Sequence, residues 1–395
     1  MLDKPESPKL SPATRRSSIY PYYAGFSEQF VHSILKKIEA TNSDLILDPW
    51  NGSGTTTSVC SQVGIRSIGV DLNPAMKPIA AVRTMPPTAL NAVSRGAMKT
   101  VDTLPQSDEL VSPFSYCGSF LEAAKLNLRP SLHDGLRFGL MITCRTLARQ
   151  VRSKNPTWYS LNSLRAIRLN STLIRDEIIS SFAALQSWRN DSPFNDSTLS
   201  PTLITADWVS FRGNRAISHV ITSPPYLTRI DYVMKTLPEL MLLNEEEEID
   251  LATLRKKMLG GVITSAPQSN KPDTVRSSSA KELLERIQAH DSKASPTYYY
   301  RFFKQYFIGL QSSIANIANV SNRLKTITFV TQGSYYKEIF IDLPSIIDEL
   351  LEEKGFLRSS ASSFLGSNNM VTVNTRSVAS GLASPPEMAV TYERK

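Results

Sequence analysis

Short apolar runs alternate with helical stretches near both ends of this chain. Leu45-Ile46-Leu47-Asp48-Pro49-Trp50 reads as a buried strand, followed by the turn Asn51-Gly52-Ser53-Gly54 and a helical run from Thr55 to Val63 that Gly64 breaks. Arg66 to Val70 then forms a second strand, ended by Asp71, so the segment is a compact βαβ unit. Further strands are predicted at Thr202-Leu203-Ile204-Thr205-Ala206, at Ala216-Ile217-Ser218-His219-Val220-Ile221-Thr222, from Leu324 to Thr331 and from Met388 to Glu393. Helices are predicted from Tyr298 to Ala318 and from Leu343 to Glu353, the second stopped by Gly355. Strands interleaved with helices in this way predict an α/β fold.

The first turn carries chemistry. Glycines at a strand-to-helix turn let the backbone approach a ligand at a helix amino terminus, and a carboxylate ending the next strand accepts hydrogen bonds from ribose hydroxyls. Gly52, Gly54 and Asp71 satisfy that pattern and point to an adenosine-type cofactor. A triphosphate would want Gly-Lys-Ser/Thr, whereas Gly54 is followed by Thr55 and Thr56. NAD would want a three-glycine spacing that Asn51 to Thr57 lacks. A purely structural turn is the competing reading.

The second chemical signal is Ser223-Pro224-Pro225-Tyr226, which follows the apolar run ending at Thr222. The exocyclic amine of cytosine or adenine is a poor nucleophile because its lone pair is delocalised into the ring. Alkylating it requires acceptors for its two hydrogens, and the Ser223 hydroxyl and the Pro224 carbonyl are candidates. Pro224 and Pro225 stiffen the loop and offer no backbone N–H to an amine that is itself a donor, and Tyr226 offers a face for an extruded base. The alternative is a strand-ending turn, since Pro-Pro is a common breaker. A second copy, Ser384-Pro385-Pro386, is followed by Glu387 and preceded by no apolar strand, so it reads as a loop.

Together these residues resemble the S-adenosylmethionine-dependent amino-methyltransferases of DNA, which modify cytosine N4 or adenine N6. Asp48-Pro49-Trp50-Asn51-Gly52-Ser53-Gly54-Thr55-Thr56 is similar to that family's cofactor motif, and Thr222-Ser223-Pro224-Pro225-Tyr226 to its catalytic motif. The resemblance implies S-adenosyl-L-methionine as cofactor, with Gly52 and Gly54 bordering the methionine end, Asp48 near its amino group and Asp71 on the ribose. It puts Asp207 near the adenine amine, although one Asp after a short apolar run also serves as a cap or turn residue. Tyr20 to Ile38, with Tyr22, Tyr23, Gly25, Phe26 and Phe30, is similar to the segment that closes over the methionine end. The implied fold is a Rossmann-like doubly wound methyltransferase sheet with a terminal antiparallel hairpin, plus a helical insertion. Serine before Pro-Pro is commoner among the N4-cytosine enzymes of the family, and Asp or Asn among the N6-adenine ones, so cytosine N4 is favoured over adenine N6. A long insertion between the ribose carboxylate and the catalytic strand departs from the commonest arrangements.

Composition narrows the rest. With 395 residues and 41% hydrophobic content the chain can bury one large α/β core and a smaller helical lobe. No apolar run of membrane-spanning length occurs, and Met1-Leu2-Asp3-Lys4-Pro5-Glu6 lacks a secretory apolar stretch, so a cytoplasmic protein is expected. Cys60, Cys117 and Cys144 are far apart, and His32, His133, His219 and His290 add no metal-site spacing. No cysteine follows a proline as the attacking thiol of a cytosine C5 enzyme would; buried thiols are expected.

The net charge is +8, and eleven Lys or Arg against four acids between Phe120 and Asn190 account for nearly all of the excess. Arg145, Arg149 and Arg152 share one helix face, with Lys154 close behind and Trp158, Tyr159 and Trp188 interleaved. Such a face can neutralise phosphates of double-stranded DNA; a solvated outer face is the plainer alternative. Arg229, Asp231 and Tyr232 either reach a flipped base or cap and pack the next helix. The acid run Glu245 to Glu248 is expected to face solvent or a partner.

The chain therefore divides into a disordered start (1–19), a cofactor half (20–84), a basic helical insertion (85–200), a catalytic part (201–243), a mobile insertion (244–297) with a short helix from Ala280 to Gln288, and a C-terminal half (298–395). The expected activity is methylation of a flipped DNA base without a metal or a covalent enzyme intermediate, with a restriction or defence protein as a further partner. An RNA base methyltransferase and a non-catalytic DNA-binding subunit are the readings from other classes.

Overall fold

Seven strands form the central sheet: β1 (Leu45–Asp48), β2 (Arg66–Asp71), β3 (Thr202–Thr205), β4 (His219–Thr222), β5 (Thr326–Gln332), β6 (Phe356–Phe364) and β7 (Glu387–Arg394). The computed structural model describes residues 5–9, 19–20, 25–104, 107–151, 158–190, 199–211, 216–227, 230–263, 274–364 and 385–395. The strand order is β6-β7-β5-β4-β1-β2-β3. The pairs from β5 through β4, β1 and β2 to β3 are parallel, and β7 runs antiparallel between β5 and β6.

Neighbouring residues on each inner strand point to opposite faces, and both faces are covered, which is why successive residues of β2, β4 and β5 are buried, the small polar ones included. On one face, Ile46, Ile221 and Val330 pack with Phe30, Val31 and Ile34 of α1 (Glu28–Lys37) and with Val59 and Cys60 of α2 (Thr55–Gln62). Ser27 caps α1 by accepting from the Phe30 N–H.

A separate helical core follows β2. It is built by α3 (Met76–Val82), α4 (Pro87–Val101), α5 (Pro113–Lys125), α6 (His133–Ala148) and α7 (Ser171–Asn190). The same core takes in Leu237, Leu240 and Leu243 of α8 (Leu237–Asn244), together with Val233 and Leu254. The segment from Val233 to Leu254 thus packs with the insertion, although its part beyond residue 243 was expected to belong to a mobile segment. On the sheet's second face, Leu47, Val220 and Phe329 pack against α9 (Ser278–Gln288), α10 (Tyr300–Ala318) and α11 (Leu343–Glu352).

All three cysteines are buried and unbridged. Among the described residues no helix is long and apolar enough to cross a membrane.

Candidate active site

β1 lies between β2 on one side and β4 on the other, so the chain leaves its carboxyl end in one direction along the sheet and returns to it from the opposite one. Open α/β sheets hold ligands in the crevice at such a point. The glycine turn follows β1, and Ser223 follows β4, so the two sequence motifs meet there.

Asp48 is 2% exposed. Its Oδ1 accepts from Thr222 Oγ1 at 2.6 Å and from the Trp50 N–H at 3.2 Å, and its Oδ2 accepts from Thr56 Oγ1 at 2.7 Å. Burial pushes this carboxyl up to about 6, against the pull of those donors. Asp71 accepts from the Gly52 N–H at 2.8 Å and from the Asn73 N–H at 2.8 Å. Burial raises it also to about 6, even with both amide donors in place. Among the described residues neither carboxyl group is in an ion pair.

The turn between them is over-determined. Gly52 and Gly54 take φ of 49° and 82°, the left-handed region, and a Cβ on Gly54 would sit 2.6 Å from the Ala80 Cβ. Pro49, Ser53 and Thr55 are buried. Asn51 donates its N–H to the Val70 carbonyl at 3.0 Å, and its Oδ1 accepts from Thr57 Oγ1 at 3.1 Å. Thr55 Oγ1 accepts from Arg83, which pairs with Glu28 at 2.6 Å and so ties α1 to the turn.

In the second motif, Ser223 Oγ donates to the Tyr226 hydroxyl at 3.2 Å, and that hydroxyl donates to Glu387 Oε1 at 2.9 Å. Burial and the Glu387 carboxylate push the Tyr226 phenol well above its ordinary range, so it stays protonated. The Pro225 carbonyl accepts from Tyr306 at 2.9 Å, and Gly260, at φ 73°, lets its turn approach the Tyr226 carbonyl. Among the described residues no hydrogen bond is made to the carbonyl of Pro224.

Other candidates are placed differently. Asp207 lies just beyond β3 at the same sheet edge, and its carboxylate caps the following turn through the Val209 N–H at 3.0 Å. Asp231 caps the short helix Tyr232–Lys235 and pairs with Arg255 at 2.7 Å, which is the capping reading of that residue. Arg145 does not present its charge outward as expected. Its side chain is 15% exposed, and the guanidinium pairs with the fully buried Glu239 of α8 and also donates to Tyr20 Oη at 2.9 Å and the Lys235 carbonyl at 3.1 Å. A buried carboxylate on the facing helix outcompetes solvent for it.

Much of the basic excess is spent the same way. Arg137 pairs with Asp134 and Glu246, Lys125 with Glu122 and Glu246, and Arg189 donates to the Met85 carbonyl. Glu246, expected to face solvent or a partner, is instead an internal counter-ion held below the ordinary carboxylate range by those two cations. Arg149 is exposed, as are Arg129, Arg165 and Arg168. Arg152, Lys154 and Arg229 lie outside the described residues.

Sequence reasoning missed Glu387, Tyr306, Gly260 and Arg83 as members of the site. Only Glu387 left a trace, as the residue after the second Ser-Pro-Pro.

Comparison with known proteins fits this geometry. Residues 6–82, which include the glycine turn and Asp71, match the family model described as DNA methylase. The Type II methyltransferase M.MjaII of Methanocaldococcus jannaschii is 43% identical over 65 residues, 16% of this chain and 12% of that protein. M.BsoBI of Geobacillus stearothermophilus, also a Type II methyltransferase, is 42% identical over 53 residues, 13% of this chain and 10% of its own. The Type II methyltransferase M.AvaI of Nostoc sp. is 29% identical over 146 residues, 35% of this chain and 30% of its own. The similarity thus spans less than a third of each relative's length.

Proposed function

We propose that this chain, which belongs through residues 6–82 to the DNA methylase family, moves a methyl group from S-adenosyl-L-methionine to the exocyclic amine of a base flipped out of double-stranded DNA, cytosine N4 being favoured. One observation carries the cofactor reading. Asp48, buried, and Asp71, half-buried, are carboxyls raised to about 6 by loss of solvent, flanking one glycine turn, and among the described residues no cation of the chain pairs with either. A cationic ligand with hydroxyls fits that set of acceptors and negative charge: Asp48 suits its ammonium end, Asp71 its ribose, and the left-handed glycines the close approach of its methionine part.

S-adenosyl-L-methionine supplies, when bound, a methyl group activated on a sulfonium cation. The chain's own part is acceptor chemistry. The Pro224 carbonyl and Ser223 Oγ take the two amine hydrogens, so that nitrogen density turns toward the methyl carbon, and the amine ends with one N–H exchanged for N–CH3 and one proton released. Tyr226 flanks the base, and Tyr306 holds the loop at Pro225. Asp207 borders the adenine side of the cofactor. The sheet is read as a Rossmann-like methyltransferase sheet closed by the antiparallel β6–β7 hairpin.

For DNA, the exposed Arg149 with Arg129, Arg165 and Arg168 is the proposed phosphate side of the helical layer; Arg152, Lys154 and Arg229, which lie outside the described residues, are proposed as DNA contacts from the sequence alone. The likeness to Type II methyltransferases favours a role in DNA methylation paired with restriction. Nuclease digestion and mass spectrometry of DNA from cells expressing the chain, beside a Ser223→Ala/Tyr226→Ala variant, is the test. N4-methylcytosine only with the intact chain is the expected result. N6-methyladenine would move the target base; neither product, in the presence of demonstrated cofactor binding, would overturn DNA as substrate.

A further inference from the structure

We propose that Glu387 is a positioning residue of the catalytic loop, which holds Ser223 as a hydrogen-bond acceptor through the Tyr226 hydroxyl. The inference rests on the amine-methylation reading above and deepens it.

A serine hydroxyl is an ambiguous partner, because it carries one hydrogen and two lone pairs on a rotor. Facing an amine whose hydrogens must be drawn away, it helps only as an acceptor. Turned the other way, it sets donor against donor. A carboxylate in its place would have no such ambiguity.

The structure disposes of the serine hydrogen in two steps. Ser223 Oγ donates to Tyr226 Oη at 3.2 Å, and Tyr226 Oη donates to Glu387 Oε1 at 2.9 Å, with the Val330 carbonyl a longer second acceptor at 3.5 Å. An ionised carboxylate accepts only, so it gives the chain of bonds one direction. With its hydrogen committed to Tyr226, Ser223 keeps both lone pairs for the substrate. The raised pKa of the Tyr226 phenol keeps a proton on the middle member and is consistent with this direction.

The arrangement joins the two Ser-Pro-Pro segments of the sequence. Pro385 and Pro386 stiffen the entry to β7, and the Pro385 carbonyl accepts from Gln332 Nε2 at 2.6 Å. Glu387 begins β7, in register with Gln332 on β5 and Phe364 on β6, which sets its carboxylate against a tyrosine 161 residues earlier in the chain. The hairpin thereby supplies an acceptor to the loop that follows β4.

The test compares kcat, KM for DNA, cofactor affinity and Tm for the wild type, Glu387→Ala, Glu387→Gln, Tyr226→Phe and the Glu387→Ala/Tyr226→Phe double variant, on DNA whose methylated product is identified by mass spectrometry. Glu387→Ala and Tyr226→Phe are each expected to lower kcat about ten- to a hundredfold, the scale of one charge-assisted hydrogen bond, with KM and cofactor affinity within about twofold. The double variant is expected to match the worse single one, since both cut the same chain of bonds. Glu387→Gln keeps an acceptor for the phenol hydrogen and is expected to retain most of the rate. Additive losses, an effect on KM alone, or a Gln variant as poor as the Ala variant would overturn the assignment. Absence of methyl transfer by the wild type sinks the amine-methylation reading by itself. In that event crystal structures of the wild type and Glu387→Ala decide the present point: an unchanged Ser223 rotamer and Ser223–Tyr226 bond in the variant would refute it.

Discussion

Thr222 donates its hydroxyl to Asp48 at 2.6 Å, and this bond joins the end of β4 to the end of β1 with both partners out of solvent. It is where the proposed catalytic motif touches the proposed cofactor motif. Thr222→Val keeps the β-branched shape but removes a donor from a buried carboxyl, at a cost of about 1–3 kcal/mol. We expect a lower denaturation midpoint with an unchanged m-value, and weaker S-adenosyl-L-methionine binding. Thr222→Ser restores the donor and is expected to recover most of both. Equal stability of the Val and Ser variants in urea titrations would show that the bond does no more than decorate the strand ends.

Gly69, in the middle of β2, makes room for Asn51. A Cβ there would lie 2.4 Å from the Asn51 Cγ and 2.6 Å from its amide atoms, all in a buried turn. Gly69→Ala therefore has to displace Asn51, with an overpacking cost of about 1–3 kcal/mol and distortion of the Gly52–Gly54 backbone. Differential scanning calorimetry and cofactor titration should both register the change. Adding Asn51→Ala removes the obstruction, so the double variant is expected to regain stability without regaining full cofactor affinity.

How much of this was legible in the chain depends on where each contact is made. The βαβ unit and its glycine turn are local, and Leu45 to Asp71 could be read directly because the apolar run Leu45-Ile46-Leu47, the glycine turn, the helix-breaking Gly64 and the Ile68–Val70 strand core all fall within one short segment. β6 was not readable. Leu357-Arg358-Ser359-Ser360-Ala361 carries no apolar alternation, because an edge strand paired on one side only is held by β7 rather than by burial of a face. Charge misled for the complementary reason. A count of Lys and Arg cannot see Glu239 and Glu246, which come from a segment about a hundred residues later and fold back into the helical core. The Glu387 contact was invisible because it needs the hairpin register, which sequence patterning alone does not give.

The two arginines that share a helix face are expected to separate experimentally. Arg145→Met leaves Glu239 buried without its cation, a loss of about 3–5 kcal/mol, whereas Arg149 is exposed and its removal should leave stability within about half a kcal/mol. Arg149→Ala is instead expected to weaken DNA binding across all sequences and to lower the slope of log K against log salt by about one. Fluorescence anisotropy at several salt concentrations, beside chemical denaturation, distinguishes the roles. A stability loss for Arg149→Ala as large as that for Arg145→Met would contradict the placement of either residue.

The raised carboxyls set the last expectation. Asp48 and Asp71 move from an ordinary value of 3.8 up to about 6 because burial penalises their charge. Between about pH 4 and 6 the folded protein holds protons that the unfolded chain has released. This contribution to stability is fully present below 3.8 and is lost as pH rises through about 6. Cofactor binding runs in the opposite sense. A sulfonium and ammonium ligand prefers the ionised carboxyls, so binding near pH 6 releases protons and affinity falls as pH drops, by up to about tenfold per pH unit for each proton coupled. Calorimetry in buffers of different ionisation enthalpy measures that release directly. Asp71→Asn removes one of the two groups, so it should reduce the proton count while weakening binding at pH 7.5, where both carboxyls are largely ionised. A dissociation constant that stays flat from pH 5 to 7.5 would mean that neither carboxyl faces the charge of the ligand, and the cofactor assignment would lose the observation it rests on.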